Sequence, residues 1–451
     1  MSSSPALVER AEPQPARRLD RPARRPVSGR DPAVDLARAG CLVVVVLLHA
    51  LMVGVGIGES GPVLQNAMEG WPGFAPLSWI VQVMPLFFLL GGFSAHTQWE
   101  RMRRRGAGYG DYLAGRVRRL LVPASAALVA VAVLLSALAI AGVPASLVAI
   151  AGFRISQPLW FLGVYILCTA AVPPLVALHR RAPVVGLLTP AAVAVAVDVA
   201  RGATGVTAIG FANLLFVWLT VQQLGFWLAS GRLAGVSRRR LAVVGVAALG
   251  LLLLLCANGV WSFDMLANLN PPTCALLLLA VAQLSVLHLA APTLRRWARL
   301  PGPSRFVAVV SARSMTVYLW HMPVLIVLAG GLLVGALVVP GLRLPAPLSG
   351  DWWLTRPLWF AAVLVAVAAV VAAAGRFETG RPGGSGATAA PTVRSGRAAV
   401  VATAAAATGA AAVLVALLGG ASIAAWVAAS ALAFLALRIL GRSVLPAAVT
   451  R

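Results

Sequence analysis

The chain has 451 residues, of which 60% are hydrophobic and 11% charged, with a mean hydropathy of +0.89. A soluble globular chain carries about a quarter charged residues, so that class is excluded and a membrane protein is indicated. The formal net charge of +24 comes wholly from arginine, since no lysine occurs; the arginines cluster between apolar runs, as membrane topology alone requires, and no nucleic acid partner is expected.

Residues 1–32 read as a disordered basic cytoplasmic tail, with Arg17, Arg18, Arg21, Arg24, Arg25 and Arg30 among prolines and positioned to meet anionic membrane lipid. The apolar run that follows, 34–57, shows no convincing small-residue cleavage site and reads as an uncleaved first span. Further runs lie at 76–99, 120–143, 158–178, 183–200, 209–230, 241–260, 273–291, 311–339, 357–374, 399–418 and 421–440. They are continuous rather than alternating, which excludes a membrane barrel. The pattern predicts an all-α polytopic transmembrane bundle of about 12 spans.

Loop charge sets the orientation. The loop after the first span holds Glu59 and Glu69 and no arginine, whereas the next holds Arg101, Arg103, Arg104, Arg105, Arg116, Arg118 and Arg119. Basic and non-basic loops keep alternating, with the signal weakening near Arg343, Asp351 and Arg356. By the positive-inside rule both termini are cytoplasmic, and a bacterial inner membrane is the expected location.

A membrane domain over 33–374 is followed by a Gly-, Ser- and Pro-rich linker at 375–397, an Ala-rich hairpin of two spans at 398–440 and a short cytoplasmic tail at 441–451. The hairpin suits either packing or self-association into a homo-oligomer. Cys41, Cys168, Cys256 and Cys274 have no metal or redox spacing, so neither a disulfide nor a metal is expected.

The first span carries the most informative pair. Arg38 and His49 are separated by ten residues, nearly all apolar. Eleven helical steps come to about three turns, placing both on one face roughly 16 Å apart along the axis. An ionisable residue inside a span is a functional-site candidate by default. Asp35 lies one turn before Arg38 and is placed to orient it. Further on, Gly54 and Gly58 form a GxxxG packing pattern at the outer end of this span, and Gly91 and Gly92 suit a close helix approach in the second. Asp198 is an acceptor-side candidate; His96 and Trp99 read as interfacial, and His179 and His288 receive no role.

Four ordered motifs resemble acyltransferase family 3, the integral-membrane acyl-CoA-dependent O-acyltransferases. They are Asp35-Leu36-Ala37-Arg38 with His49; Pro85-Leu86-Phe87-Phe88-Leu89-Leu90-Gly91-Gly92-Phe93; Arg116-Val117-Arg118-Arg119-Leu120-Leu121-Val122-Pro123; and Ser314-Met315-Thr316-Val317-Tyr318-Leu319-Trp320-His321-Met322-Pro323. Leu159-Trp160-Phe161-Leu162 adds a fifth likeness. Two departures stand out: Gly91 where the family has serine, and Gln157-Pro158 where a histidine is often found. The resemblance implies transfer of an acyl group, commonly acetyl, from acyl-CoA as co-substrate to a hydroxyl of a saccharide or glycosylated metabolite.

The chemistry of those residues agrees. Moving an acyl group from a thioester to an alcohol needs a base, and histidine titrates near neutral pH. Arginine pairs with phosphate through bidentate charge-assisted bonds. His49 and Arg38 are therefore the expected catalytic residues, and Arg116, Arg118 and Arg119 the expected contacts of the donor, with Arg116 and Arg119 sharing a helix face. His321 and Tyr318 are expected either to contact the acceptor or to support the residues that do. The rival reading is a 12-span exporter of a lipid-linked or small hydrophobic solute, against which stand the lack of an evident inverted repeat and the scarcity of acidic residues within spans.

The orientation is open to direct labelling. A cysteine at Glu69 should react with a membrane-impermeant maleimide on intact cells, and one at Arg103 only after the membrane is opened; the reverse pattern would invert the topology.

Overall fold

The computed structural model describes residues 31–58, 61–375 and 395–442. The basic tail before Asp31, Glu59, most of the 375–397 linker and the tail from 443 onward lie outside the described residues. Helix α1 (Pro32–Met52) leads into an antiparallel hairpin, β1 (Val53–Gly58) and β2 (Gly61–Asn66). There follow α2 (Phe74–Val81), α3 (Met84–Arg104), α4 (Tyr109–Ile140), α5 (Ala145–Ser156), α6 (Leu159–Arg181), α7 (Pro183–Thr204), α8 (Asn213–Ala229), α9 (Arg238–Ala257), α10 (Ala275–Trp297), α11 (Pro301–Ala312), α12 (Ser314–Val338), α13 (Gly350–Ala374), α14 (Ser395–Leu418) and α15 (Ile423–Arg442). Among the described residues, twelve helical segments are long and apolar enough to cross a membrane. This is an all-α, multi-pass membrane protein.

Helix starts follow local rules. Asp31 caps α1 by accepting from the Ala33 amide (3.0 Å), and Pro32 occupies the first turn, where its missing N–H costs nothing. The same carboxylate takes a two-pronged ion pair from Arg295 near the end of α10 (2.7 and 3.1 Å), fixing the α1 start to its neighbour. Ser237 and Ser349 cap α9 and α13 in the same manner as Asp31.

The structure departs from the sequence expectation at the second span, which is broken at Gln82 and Val83 between α2 and α3, and in four further places. First, the helix of the first span stops at Met52 rather than near 57, and Gly54 and Gly58 lie on β1, opposite Gln65 and Gly61. They form no helical GxxxG face. The alternation Val-Gly-Val-Gly-Ile-Gly has the two-residue period of a strand, and glycine is a poor helix former. The carbonyls freed at the end of α1 are taken up: Ala50 accepts from the Trp359 indole (2.9 Å) and Met52 from the Ala67 amide (2.8 Å). Second, the stretch 145–156, expected as a loop, is helix α5, which continues into α6 after an interruption at Gln157 and Pro158. Third, helix α11 occupies the expected loop before α12 and packs against α1. Fourth, α14 begins at Ser395, so the linker is shorter than the sequence reading placed it.

Small residues set the tightest crossing. A Cβ on Gly225 of α8 would sit 2.1 Å from the Leu89 carbonyl oxygen of α3, and one on Gly92 would sit 2.3 Å from the Gln222 carbonyl oxygen. Backbones approach this closely only where a side chain is missing. The α14–α15 hairpin packs against α4, and α14 also against α6. Gly409 faces Leu121, and buried Trp426 donates to the Gly420 carbonyl (2.8 Å).

Overpacking of this kind typically costs about 1–3 kcal/mol. Gly225→Val should therefore lower the unfolding temperature of the detergent-solubilised protein well below that of a control substitution at Gly250, where a Cβ meets open space.

Candidate active site

Two interrupted spans, α2/α3 and α5/α6, and the α11/α12 junction meet at one cavity of about 260 Å³. Its wall includes Val81–Met84 at the α2/α3 break, Pro158 with Trp160 and Phe161 at the α5/α6 break, and Val310, Ser311, Ser314 and Met315 at the α11/α12 junction. Within a bilayer, broken helices are tolerated where they line a protein cavity and their freed backbone groups find partners. They do so here. The Gln82 side-chain carbonyl accepts from the Met84 amide (3.3 Å), and the Gln82 backbone carbonyl accepts from the Gln283 amide group (2.8 Å). The Tyr318 hydroxyl donates to the Pro158 carbonyl (2.8 Å).

One region of the cavity is cationic. Arg38, Arg116 and Arg119 line it, and none of the described residues in its wall is acidic. Arg38 Nη2 donates to the Leu90 carbonyl (3.2 Å) and to the Ser94 hydroxyl, and Nη1 lies 4.0 Å from the Asp35 carboxylate. Arg116 Nη2 donates to the Tyr165 hydroxyl (3.3 Å), and its guanidinium also interacts with the buried Tyr112 hydroxyl. Three guanidinium groups whose protein partners are mostly neutral leave room for an anion to pair with them.

His49 lines the same cavity. Its Nδ1 lies 2.8 Å from the Val45 carbonyl, which only accepts, so this nitrogen carries the proton. In the neutral ring Nε2 is then the acceptor, the tautomer a general base needs. His321 stands next to it, ring centroids 5.0 Å apart and edge-on. Its Nδ1 donates to the Tyr318 carbonyl (2.6 Å), and its Nε2 is buried without a hydrogen-bond partner among the described residues.

The expected residues therefore fall into groups. Arg38, His49, Arg116, Arg119, Tyr318 and Gly91 line the cavity. His321 sits against His49 without lining it, Asp35 lies beside Arg38, and Gly92 serves the α3–α8 crossing. Arg118 is exposed and lies outside the cavity wall. Asp198 also lies outside: its carboxylate accepts from Asn213 (3.0 Å) and from the Cys274 amide (2.7 Å), joining α7, α8 and the start of α10. His96 and His179 pack on Phe226 away from the cavity.

Sequence reasoning missed Gln82, Ser94 and Tyr165. Gln82 is a lone amide in an apolar run shortly before Pro85, a signal for a break. Ser94 supplies the hydroxyl beside Arg38, three residues beyond Gly91. Tyr165 lies one turn after Phe161.

The family model for acyltransferase family 3, described as an acyltransferase domain, matches residues 31–375. The chain belongs to acyltransferase family 3. No curated protein and no solved structure matches it. The matched region of this membrane acyltransferase holds every cavity-lining residue and stops before the α14–α15 hairpin.

Removing the Tyr318 hydroxyl takes a side-chain partner from the Pro158 carbonyl, a loss that typically costs about 1–3 kcal/mol. Tyr318→Phe should lower the unfolding temperature of the acyltransferase in detergent; an unchanged temperature would mean that the bond does not brace the α5/α6 break.

Proposed function

We propose that this acyltransferase takes an acyl group, acetyl in the simplest case, from acyl-CoA and places it on a hydroxyl of a saccharide or glycosylated metabolite. The observation that carries this reading is one cavity joining three guanidinium groups to an imidazole whose acceptor nitrogen is Nε2. The phosphates of the donor pair with Arg38, Arg116 and Arg119, which line the cavity together. The pantetheine arm then follows α1 for the roughly 16 Å between Arg38 and His49, bringing the thioester to the ring.

At the ring, His49 Nε2 takes the proton of the acceptor hydroxyl as its oxygen attacks the thioester carbon. The C–S bond breaks, and the imidazolium returns the proton to the departing CoA sulfur. Atoms and charge balance with no metal in the step. Orientation by the positive-inside rule puts the arginines on the cytoplasmic side of a bacterial cell membrane, where acyl-CoA is available. The absence of an acidic residue among the described residues of the cavity wall argues against a cation-coupled exporter.

Membranes carrying the protein are given radiolabelled acetyl-CoA and an envelope extract. A positioned general base contributes about 10²–10⁴-fold, so His49→Ala should lower labelling of acceptors by that range while accumulating in the membrane at the parental level. Arg116→Gln should raise the KM for acetyl-CoA more than it lowers kcat. Undiminished labelling by His49→Ala would remove His49 from the reaction.

A further inference from the structure

The cavity is chemically divided, and the division bears on the acceptor. Among the described residues, the charged ones lining it are arginines, on α1 and α4. Around the end of α1, just past His49, the wall is Leu48, Met52, Val81, Val83, Met84, Leu266 and Leu269, with Gln82 as the polar exception. Gln82 is already committed: its Nε2 donates to the Met265 carbonyl (3.0 Å) and its Oε1 accepts from the Met84 amide. The backbone amides of this collar are committed too. Val83 donates to Val81, Met265 to the Ser78 hydroxyl, Leu266 to the Asp264 carboxylate and Leu269 to Leu266. A sugar ring pushed into this collar would leave several hydroxyls unpaired, each at a cost of about tenfold in affinity.

On the acyltransferase reading just given, the donor fills the arginine-lined part and brings its carbonyl to His49. The acceptor must reach that carbon from the remaining side. A long acyl chain there would block it. We infer that the acceptor is an uncharged amphiphile whose reacting hydroxyl is carried on, or next to, an apolar body that fills the Met52–Val81–Leu266–Leu269 collar. A free saccharide does not satisfy this collar; a sugar attached to an apolar aglycone or lipid does.

The test uses the intact protein in membranes, with radiolabelled acetyl-CoA as the probe and a whole-cell extract as the source of acceptors. Label is partitioned between butanol and water, and the His49→Ala background is subtracted. The inference predicts His49-dependent label in the butanol phase, in excess over the aqueous phase by about tenfold or more. It also predicts that Leu269→Asp and the milder Leu266→Asn lower that label by about tenfold without changing the KM for acetyl-CoA. Label recovered as a water-soluble saccharide ester would overturn it. So would a preference for octanoyl-CoA over acetyl-CoA that the collar variants abolish, because the collar would then hold the acyl chain. Absence of His49-dependent label from both phases would instead contradict the acyltransferase reading itself, and this inference with it.

Discussion

Backbone groups in a membrane interior have no water to fall back on, and this constraint shapes the structure around the cavity. Two spans are interrupted where they border the cavity, and each interruption releases amides or carbonyls that a continuous helix would have paired. Side chains from sequence-distant elements meet them: Gln283 reaches back to the Gln82 carbonyl, and Tyr318 to that of Pro158. These bonds tie α10 to the α2/α3 break and α12 to the α5/α6 break. The cavity is thus a consequence of how the breaks are satisfied, and the residues that satisfy them hold its wall.

Charge placement follows the same economy. Guanidinium groups inside a bundle are tolerated when they are bonded or when an anion completes them. Arg38 is partly compensated by Asp35, by the Leu90 carbonyl and by Ser94. Arg116 is held by two neutral phenols, Tyr165 and Tyr112. The arrangement is therefore incomplete in a specific way, short of negative charge on one side of the cavity. His49 completes the picture from the other side, with its tautomer set by the Val45 carbonyl one turn back in its own helix.

Much of this was legible in the sequence, and the reasons differ by residue. The twelve long apolar segments could be read because hydropathy over about 20 residues is a direct measure of transfer into a bilayer. Arg38 and His49 could be read because an ionisable residue in such a run is rare, and helical periodicity fixes their shared face. The breaks could not. Gln82 and Pro158 carry local signals, but whether a helix continues past them depends on Gln283 and Tyr318, far away in the chain. The β1–β2 hairpin was missed because valine and glycine in alternation score as apolar whichever period they follow. The i,i+3 spacing of Arg116 and Arg119 already set that pair apart from Arg118, and the helix turn puts Arg119 on the cavity and Arg118 off it.

The account stands on the donor occupying the cavity between the arginines and His49, and site-directed alkylation reads that occupancy without reference to any acceptor. Gly91 lines the cavity with room for a side chain, and its nearest neighbour to a built Cβ is Tyr165 at 3.5 Å. Gly115 lies on the exposed side of α4, where a Cβ meets open space. The native cysteines are all buried. The account predicts that a cysteine at Gly91 reacts with a small maleimide and is protected by CoA, whereas a cysteine at Gly115 reacts equally with and without it. Equal alkylation at Gly91 in saturating CoA would contradict it.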